Sequence, residues 1–214
     1  MYQRKVKKID PVHPSPDMIQ EIAGVLRRGG VIAFPTRCLY GLGADAFNPE
    51  AVNRVFQIKQ RPPENPLLIL IDDPNRLKVL TTHISVAAKV ISNRFWPGKI
   101  TLVFEASHQV PDYLTAGTGK IGIRLAGHPV AAALAGASQN PITGTSANVS
   151  GCPGCHQIRD LMPEVAQQLD LIVDAGPLQG GRGSTVVDVT GKVPRVLREG
   201  VVSKMEIMAV TSNS

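Results

Sequence analysis

Short apolar runs alternate with segments of helical periodicity along most of the chain. A run of consecutive apolar residues predicts a buried strand, and apolar residues three or four positions apart predict a helix with one buried face. The predicted strands are 31–34, 67–71, 100–104, 121–125, 171–174, 185–189 and 193–197. The predicted helices are 16–28, 49–60, 85–95, 129–137 and 158–169. This alternation is typical of a mixed α/β domain in which helices cover a β-sheet.

The predicted helix ends are marked by residues that cap or break helices. Ser15 and Asn48 each precede a proline, an order that places a capping side chain before a proline in the first turn. The glycine pair 29–30 ends the first helix. Because Pro62 forces the preceding residue into an extended conformation, the second helix is expected to end near Gln60.

The length and composition describe one globular unit. A chain of 214 residues with 43% hydrophobic and 19% charged residues is long enough to bury about 70% of its unfolded surface. We expect one domain spanning residues 1–214, with an ordered core at about 15–208, a frayed polar tail from Thr211 and no additional C-terminal domain. No apolar run reaches the roughly 20 residues of a membrane helix, and no apolar segment follows the charged start. With only three cysteines, a cytoplasmic protein is expected.

The charge balance favours an anionic partner. Lys and Arg number 23 against 17 Asp and Glu, which gives a formal net charge of +6. Nucleotides, RNA and acidic metabolites are the partners that such a charge attracts. Aromatic residues make up only 4% of the chain, so a stacking platform for single-stranded RNA is not expected. The alternative is a basic surface that serves solubility alone.

Three motifs resemble functional signatures but lack the context that those signatures need. Residues 117–122 read G-x-G-x-x-G, yet a strand follows them, whereas a dinucleotide-binding loop opens a helix. Residues 152–156 read C-x-x-C-H, but c-type haem attachment belongs to exported proteins, and zinc would need two further ligands. Cys152 and Cys155 are therefore interpreted as ordinary loop cysteines, with a labile disulfide or an adventitious metal site as alternatives. Ser146 lies in a sequence similar to a nucleophile elbow, but no base accompanies it.

Polar residues are concentrated in four stretches that the pattern places in loops. These stretches are residues 35–43, 59–66, 143–151 and 180–185. In open α/β sheets, ligands bind where loops leave the ends of strands, so the four stretches can converge on one site.

The side chains of these stretches suit a phosphorylated ligand. Lys59 supplies a mobile point charge and Arg61 a planar fork, the two common means of holding phosphate oxygens. Ser146 and Asn148 add neutral hydrogen-bonding groups, and the glycines let backbone N–H groups approach an anion. The alternative is that Lys59 and Arg61 only complement a helix dipole and that the loops are ordinary turns.

The same residues resemble the signature of the YrdC-like family of threonylcarbamoyl-AMP synthases. In that family K-x-R is followed far downstream by S-x-N, and this chain matches both motifs at residues 59–61 and 146–148. The resemblance covers nearly the whole chain in order. Its further matching residues are 35–36, 40–43, 65–67, 96–98, Thr101, 123–124, 184–188 and 197–200.

The resemblance implies a fold, a reaction and partners. The fold is a twisted mixed β-sheet flanked by helices around a large, basic, concave site. The reaction is a nucleotidyl transfer that combines L-threonine, bicarbonate and ATP, with Mg²⁺ assisting, into L-threonylcarbamoyladenylate and pyrophosphate. The expected partners are a transferase complex, which moves the threonylcarbamoyl group to the tRNA adenosine beside the anticodon, and double-stranded RNA or tRNA, which some members bind.

Two alternative functions stand beside the synthase. One is a double-stranded RNA-binding or tRNA-binding protein of the same fold without independent catalysis. The other is the carbamoyl-adenylate chemistry of the related domain in hydrogenase-maturation proteins, in which carbamoyl phosphate replaces threonine and bicarbonate. The zinc-finger and acylphosphatase segments that accompany that domain have no counterpart in this sequence.

Carried over residue by residue, the resemblance implies roles for eight side chains. The expected catalytic residues are Lys59, Arg61, Ser146 and Asn148. The same four residues, together with Arg198, are expected to bind ATP. The expected threonine-binding residues are Thr36, Arg124 and Ser184, and no metal ligand is expected among them. The reaction needs no enzymic nucleophile, because the amine of threonine captures bicarbonate and the resulting carbamate attacks the α-phosphorus. Alignment and charge stabilisation would then supply the catalysis.

Two places depart from the family pattern. The first motif of the family often reads Pro-Thr-Asp/Glu-Thr, whereas Arg37 and Cys38 hold its last two positions here. A histidine that often lies near the bound threonine is replaced by Leu70. Both departures fall in the expected threonine pocket and leave the expected nucleotide site intact.

Overall fold

The computed structural model describes residues 5–212 and confirms the predicted mixed α/β class. Its strands are β1 (Val6–Lys8), β2 (Ile32–Pro35), β3 (Tyr40–Gly43), β4 (Ile69–Ile71), β5 (Ile100–Glu105), β6 (Lys120–Leu125), β7 (Ile142–Thr143), β8 (Thr145–Ser146), β9 (Leu171–Asp174), β10 (Thr185–Asp188) and β11 (Arg195–Arg198). Its α-helices are α1 (Pro16–Arg27), α2 (Pro49–Lys59), α3 (Leu77–Leu80), α4 (Val86–Phe95), α5 (Asp112–Thr115), α6 (Pro129–Ala137), α7 (Pro163–Gln168) and α8 (Lys204–Thr211). Within the described residues, no helix is both long and apolar enough to cross a membrane.

The strands form two mixed sheets. The five-stranded sheet has the order β1-β9-β2-β3-β8, and the six-stranded sheet has the order β11-β10-β5-β6-β4-β7. Strands β7 and β8 are neighbours in the chain but belong to different sheets, so the chain passes from one sheet to the other at Gly144. A Cβ at Gly144 would lie 2.6 Å from Leu70 Cγ, and this close approach explains why glycine occupies the crossing.

The helix ends agree with the sequence in part. Asn48 caps α2 by accepting a hydrogen bond from the Ala51 backbone N–H, as predicted. Ser15 precedes α1, but its side chain makes no capping hydrogen bond. The predicted helix at 158–169 is wrong as a single element, because Pro163 starts a new helix after a short 3₁₀ turn at Ile158–Asp160.

The first residue of the expected frayed tail, Thr211, is the last residue of helix α8, and Ser212 caps that helix. Ser203 and Glu206 form a capping box at the start of α8. The hydroxyl of Thr211 donates to the backbone oxygen of Ile207, so the helix holds to Thr211. Residues 213–214 of the predicted tail lie outside the described residues.

Two clusters of buried apolar side chains hold the sheets and helices together. One cluster includes strand residues from both sheets, among them Leu42 and Ile123, and therefore links the sheets. The other packs α1 and α6 against β2 and β9, with Ile22 and Leu134 fully buried. Burying a side chain of this size stabilises the fold by about 1.5–3 kcal/mol. The loops at the sheet crossing are thus attached to a packed framework.

Candidate active site

A cleft with a volume of about 480 Å³ opens at the sheet crossing, and we call it the polar compartment. All four polar stretches contribute to its lining, so loops far apart in the sequence meet here. The structure brings together all eight predicted site residues. They are Thr36, Lys59, Arg61, Arg124, Ser146, Asn148, Ser184 and Arg198.

Lys59 is the last residue of α2 and is buried in the wall of the polar compartment. Its Nζ donates to the backbone oxygens of Ser146 at 2.6 Å and Asn148 at 2.8 Å, and the residue is only 2% exposed. The expectation of a mobile point charge is therefore wrong, because these two bonds fix the ammonium group. Burial, together with the charge of Arg61, lowers the pKa of Lys59 to about 8. Since an ammonium group has three donors, one N–H remains for a ligand.

Asn148 is fixed by its amide nitrogen. Nδ2 donates to the backbone oxygens of Val149 at 2.8 Å and Cys152 at 2.7 Å. The residue is 6% exposed, and its Oδ1 has no hydrogen-bond partner among the described residues. The S-x-N loop thus holds a fixed, unpaired acceptor within the wall of the polar compartment, among the described residues.

The C-x-x-C residues lie beside this loop and support it through their backbone. The carbonyl of Cys155 accepts from the backbone N–H of Tyr40 at 2.9 Å, and the carbonyl of Cys152 holds Asn148. Burial raises the pKa of the Cys155 thiol to about 11, which makes it a poor nucleophile. Cys152 is exposed, and both thiols are free in the structure.

Arg124 anchors a second group of polar side chains on the six-stranded sheet. Its guanidinium donates to Ser184 Oγ at 3.1 Å and to the backbone oxygen of Gly144 at 3.2 Å. Ser184 Oγ also hydrogen-bonds Thr101 Oγ1 at 2.9 Å, and its backbone oxygen accepts from Arg198 at 2.9 Å. Burial lowers the pKa of Arg124 to about 10, so the group stays charged at neutral pH with donors to spare.

Three arginines of the polar compartment are paired with no carboxylate of residues 5–212. Among residues 5–212, no salt bridge involves Arg61, Arg124 or Arg198. Glu199 is the one carboxylate of the lining, and it lies 3.9 Å from the Arg182 guanidinium. Uncompensated cations in a cleft attract an anionic ligand.

A second cleft of about 510 Å³ continues from the first, and we call it the apolar compartment. The two share Arg61, Leu68, Thr145 and Arg198 in their linings. Most of its wall is one face of the six-stranded sheet, built from alternate strand residues. These are Thr101 and Val103 of β5, Lys120 and Gly122 of β6, Val186 and Asp188 of β10, and Arg195 and Leu197 of β11.

Sequence reasoning missed the apolar compartment, although its signal is present in the chain. Residues two apart in a strand face the same side of a sheet. Two such pairs are Thr101 with Val103 and Val186 with Asp188. What the sequence does not show is that β5, β6, β10 and β11 are neighbours, which requires the pairing of distant segments.

The two departures from the family pattern support the walls of the polar compartment. Arg37 donates to Gln179 Oε1 and to the backbone oxygen of Arg182, both at 3.3 Å. Cys38 Sγ donates to the same oxygen at 3.3 Å, so the turn after β2 holds the glycine-rich loop. Leu70 is 1% exposed and packs behind Gly144.

Thr36 keeps limited hydrogen-bonding capacity for a ligand. Its hydroxyl donates to the backbone oxygen of Leu39 at 2.6 Å. The hydroxyl proton is therefore used inside the turn, and the lone pairs of Oγ1 remain. Thr36 can accept a hydrogen bond from a ligand but has no donor left for one.

The fold and the cleft define a mixed α/β protein with an arginine-lined cleft at the crossing between its two sheets. The chain belongs to the Sua5/YciO/YrdC family, whose model, described as telomere recombination, matches residues 24–200. The family resemblance of the sequence is thereby confirmed, as is the expected fold.

Relatives and solved structures agree with this assignment. The chain is 38% identical to the threonylcarbamoyl-AMP synthase of Pyrococcus abyssi over 192 residues, which cover 90% of this chain and 56% of the relative. It is also 38% identical to that of Bacillus subtilis, over 94% of this chain and 58% of the relative. The crystal structure of Pyrococcus abyssi Sua5 complexed with L-threonine superposes with a TM-score of 0.88 at 36% identity, covering 96% of this chain and 60% of that one. The chain thus spans a little over half the length of these proteins.

Proposed function

We propose that this chain forms L-threonylcarbamoyladenylate from L-threonine, bicarbonate and ATP, releasing pyrophosphate as a nucleotidyltransferase. The observation that carries the proposal is a cleft in which three guanidinium groups have no carboxylate partner within residues 5–212, and which continues into an apolar compartment. Such a pair of compartments suits a ligand with a charged end and an apolar end. The names of the relatives, and the threonine bound to the structural neighbour, support the same reaction.

ATP would lie across both compartments. Arg61 and Arg198 line both compartments and are paired with no carboxylate in the part of the chain that the structure describes, so they would hold the triphosphate. The adenosine would then lie against Leu67, Val103 and Leu197 in the apolar compartment. Fixed cations at the phosphates would stabilise the charge that develops as pyrophosphate leaves.

L-Threonine would lie in the polar compartment, with its carboxylate on Arg124. The free N–H groups of Arg124 form a fork that matches a carboxylate. Ser184 holds that fork in place, since it accepts from Arg124 and is itself held by Thr101. Thr36, with only acceptor capacity left, suits the amine of threonine.

The chemistry would proceed in two steps without a protein nucleophile. The amine nitrogen of threonine forms a bond to the bicarbonate carbon, and the bicarbonate hydroxyl leaves as water with one amine proton. A carbamate oxygen then attacks the α-phosphorus of ATP, and the bond to the β-phosphate oxygen breaks to release pyrophosphate. The protein contributes alignment and fixed positive charge.

The residues of the polar compartment do not fit a Mg²⁺ ion held by the protein. Mg²⁺ prefers carboxylate oxygens, but Glu199 is the only carboxylate of the lining and lies beside Arg182. Among the described residues, no three His, Cys, Asp or Glu side chains form a metal-binding group. The Mg²⁺ that the family resemblance implies would therefore be ligated mainly by ATP phosphates.

The product, an activated acyl-adenylate, must be consumed by an acyl-accepting partner. Following the family resemblance, we propose that a transferase complex takes the threonylcarbamoyl group to tRNA in the cytoplasm. The net charge of +6 is compatible with a direct contact to tRNA or double-stranded RNA. We further propose that residues 1–214 act as one catalytic unit.

Pyrophosphate release tests the proposal. The wild-type chain is incubated with ATP, bicarbonate and each of a panel of amino acids, with Lys59→Ala as the inactive control. Release that requires both threonine and bicarbonate, and that is lost in Lys59→Ala, is the expected result. Release with another amino acid would show a different acceptor. ATP binding without any release would favour the RNA-binding alternative.

A further inference from the structure

Two buried hydroxyl groups meet in the wall between the two compartments. Thr101 of β5 lines the apolar compartment, and Ser184, directly before β10, lines the polar compartment. Thr101 is 1% exposed and Ser184 is 2% exposed, and their Oγ atoms lie 2.9 Å apart, at hydrogen-bond distance. Because each residue lines a different cleft, this hydrogen bond connects the two compartments.

The strand that carries Thr101 does not need its hydroxyl group. The chain neighbours Ile100 and Leu102 are apolar and fully buried. Valine has nearly the shape of threonine and is also favoured in strands. A buried hydroxyl costs free energy unless it is hydrogen-bonded, and within residues 5–212 the one partner of Thr101 Oγ1 is Ser184 Oγ. The pair is therefore better explained by a role in the site than by a role in the fold.

The pair can hold its protons in two arrangements. Arg124 donates to Ser184 Oγ at 3.1 Å and cannot accept, so this bond always occupies a lone pair of Ser184. If Thr101 donates to Ser184, the O–H of Ser184 is left for the polar compartment. If Ser184 donates to Thr101, the O–H of Thr101 is left instead. Within the described residues no other group accepts from either hydroxyl, so a ligand can decide between the two arrangements.

A carboxylate bound to Arg124 selects the first arrangement. Carboxylate oxygens only accept hydrogen bonds, so they gain a bond from the Ser184 hydroxyl only when Thr101 donates to Ser184. The backbone oxygen of Ser184 accepts from Arg198 at 2.9 Å, which holds the main chain of this residue in place. The direction of the Ser184 proton is thus set by Thr101.

A nucleoside in the apolar compartment selects the same arrangement. When Thr101 donates to Ser184, the lone pairs of Thr101 Oγ1 remain and its donor does not. The hydroxyls of ribose and the amino group of adenine are donors that suit such an acceptor. Thr101 lies on the same face of β5 as Val103, against which the adenosine would lie. Two ligands that favour the same state of a protein bind cooperatively.

We propose that Thr101 and Ser184 form a two-hydroxyl relay that makes the binding of L-threonine and of the adenosine moiety cooperative. Thr101 is a positioning residue, which acts on the threonine carboxylate through Ser184. This inference rests on the proposed function, because it uses the ligands assigned there. The coupling is reciprocal, so adenosine tightens threonine binding by the same factor as threonine tightens adenosine binding.

Thr101→Val tests the relay by isothermal titration calorimetry. The Kd of L-threonine is measured with and without saturating adenosine, which has no phosphates and therefore no charge to interact with the arginines. In the wild-type chain adenosine is expected to lower this Kd about tenfold. Thr101→Val should lose the effect, and Thr101→Ser, which keeps the hydroxyl, should restore most of it. Thr81→Val removes a buried hydroxyl outside both compartments and should keep the full effect.

This binding measurement needs no turnover, so it separates the relay from the proposed function. Coupling that is lost in Thr101→Val supports the relay even if no pyrophosphate is released. Three results would overturn the relay even if pyrophosphate release depends on threonine. They are equal coupling in the wild type and Thr101→Val, no coupling in the wild type, and loss of coupling in Thr81→Val.

Discussion

The polar and apolar compartments share a border but are built in different ways. Loops supply most of the polar compartment, and its key side chains are held by backbone oxygens, as Lys59 is by Ser146 and Asn148. Strands supply most of the apolar compartment, where side chains project from one face of a sheet. The first concentrates positive charge, and the second offers mainly apolar surface, with Asp188 in ion pairs with Lys120 and Arg195.

This difference suggests how the chain separates two tasks. Reacting groups need fixed charge at defined positions, and hydrogen bonds to a rigid backbone provide it. A nucleoside needs shape and apolar contact, which a sheet face supplies with little rearrangement. Arg61 and Arg198, which line both compartments, would join the tasks at the phosphates.

Among the variants that distinguish the two compartments, the largest effect is expected from Arg124→Leu in the polar compartment. Removing the guanidinium group that would bind the threonine carboxylate should lower kcat/KM for threonine on the order of 100-fold, because two hydrogen bonds to a charged group are lost. ATP affinity should change much less. Steady-state kinetics with each substrate varied in turn measures both effects.

Arg124→Lys provides the matched variant for that prediction. It keeps the charge but not the fork, so it should recover only part of the activity. A thermal unfolding midpoint close to that of the wild type must accompany the loss. An equal loss of ATP and threonine affinity in both variants would mean that Arg124 serves the nucleotide.

A smaller effect is expected from Leu197→Asp in the apolar compartment. A carboxylate in this wall, which Asp188 also lines, should raise the KM for ATP about tenfold and leave the KM for threonine unchanged. Val193→Asp is the control, since Val193 is 67% exposed and lies in neither compartment. Equal KM values for ATP in Leu197→Asp and Val193→Asp would contradict the placement of the nucleoside in the apolar compartment.

A pH effect is expected from Lys59, whose pKa of about 8 lies below the ordinary 10.5. The ammonium form donates to the anion, so ATP affinity should fall as pH rises through about 8, approaching tenfold per pH unit if the proton is required. Isothermal titration calorimetry over a range of about three pH units around pH 8 measures the affinity for ATP. Lys59→Arg should remove the dependence, because a guanidinium stays protonated.

The lowered pKa of Lys59 also changes how the free energy of unfolding depends on pH. Between about pH 8 and 10.5 the unfolded chain keeps a proton on Lys59 that the folded chain has lost. The free energy of unfolding should therefore gain a positive contribution from this group as pH rises through that window. Denaturant unfolding of the wild type and of Lys59→Met at several pH values compares the two slopes.

The smallest effect is expected outside both compartments. Asn48→Ala removes the side-chain cap of α2 and should lower the free energy of unfolding by about 1 kcal/mol. Lys59 lies at the opposite end of this helix, so KM values should not change. A change in ATP affinity would show that α2 transmits strain to the polar compartment.

Local patterns predicted most of the fold. Apolar runs such as 100–104 became strands, and Asn48 with Pro49 marked a helix start, because these features depend on near neighbours. Strand β3 was not predicted because it has only four residues, two of which are glycines, and glycine is depleted in strands. Helix α8 could have been predicted from the capping box of Ser203 and Glu206.

Local sequence patterns could not predict the features that depend on contacts between distant segments of the chain. The division into two sheets depends on pairings such as β1 with β9, whose residues lie more than a hundred positions apart. The K-x-R and S-x-N motifs indicated the polar compartment, but the fixed position of Lys59 became visible only with its carbonyl partners. The unpaired Asn148 Oδ1 likewise depends on what surrounds the loop.

A crystal structure with a non-hydrolysable ATP analogue and L-threonine tests the division of the two compartments most directly. The account predicts the adenine against Leu197 and Val103, the phosphates between Arg61 and Arg198, and the threonine carboxylate on Arg124. Adenine in the polar compartment, or a threonine carboxylate away from Arg124, would contradict it.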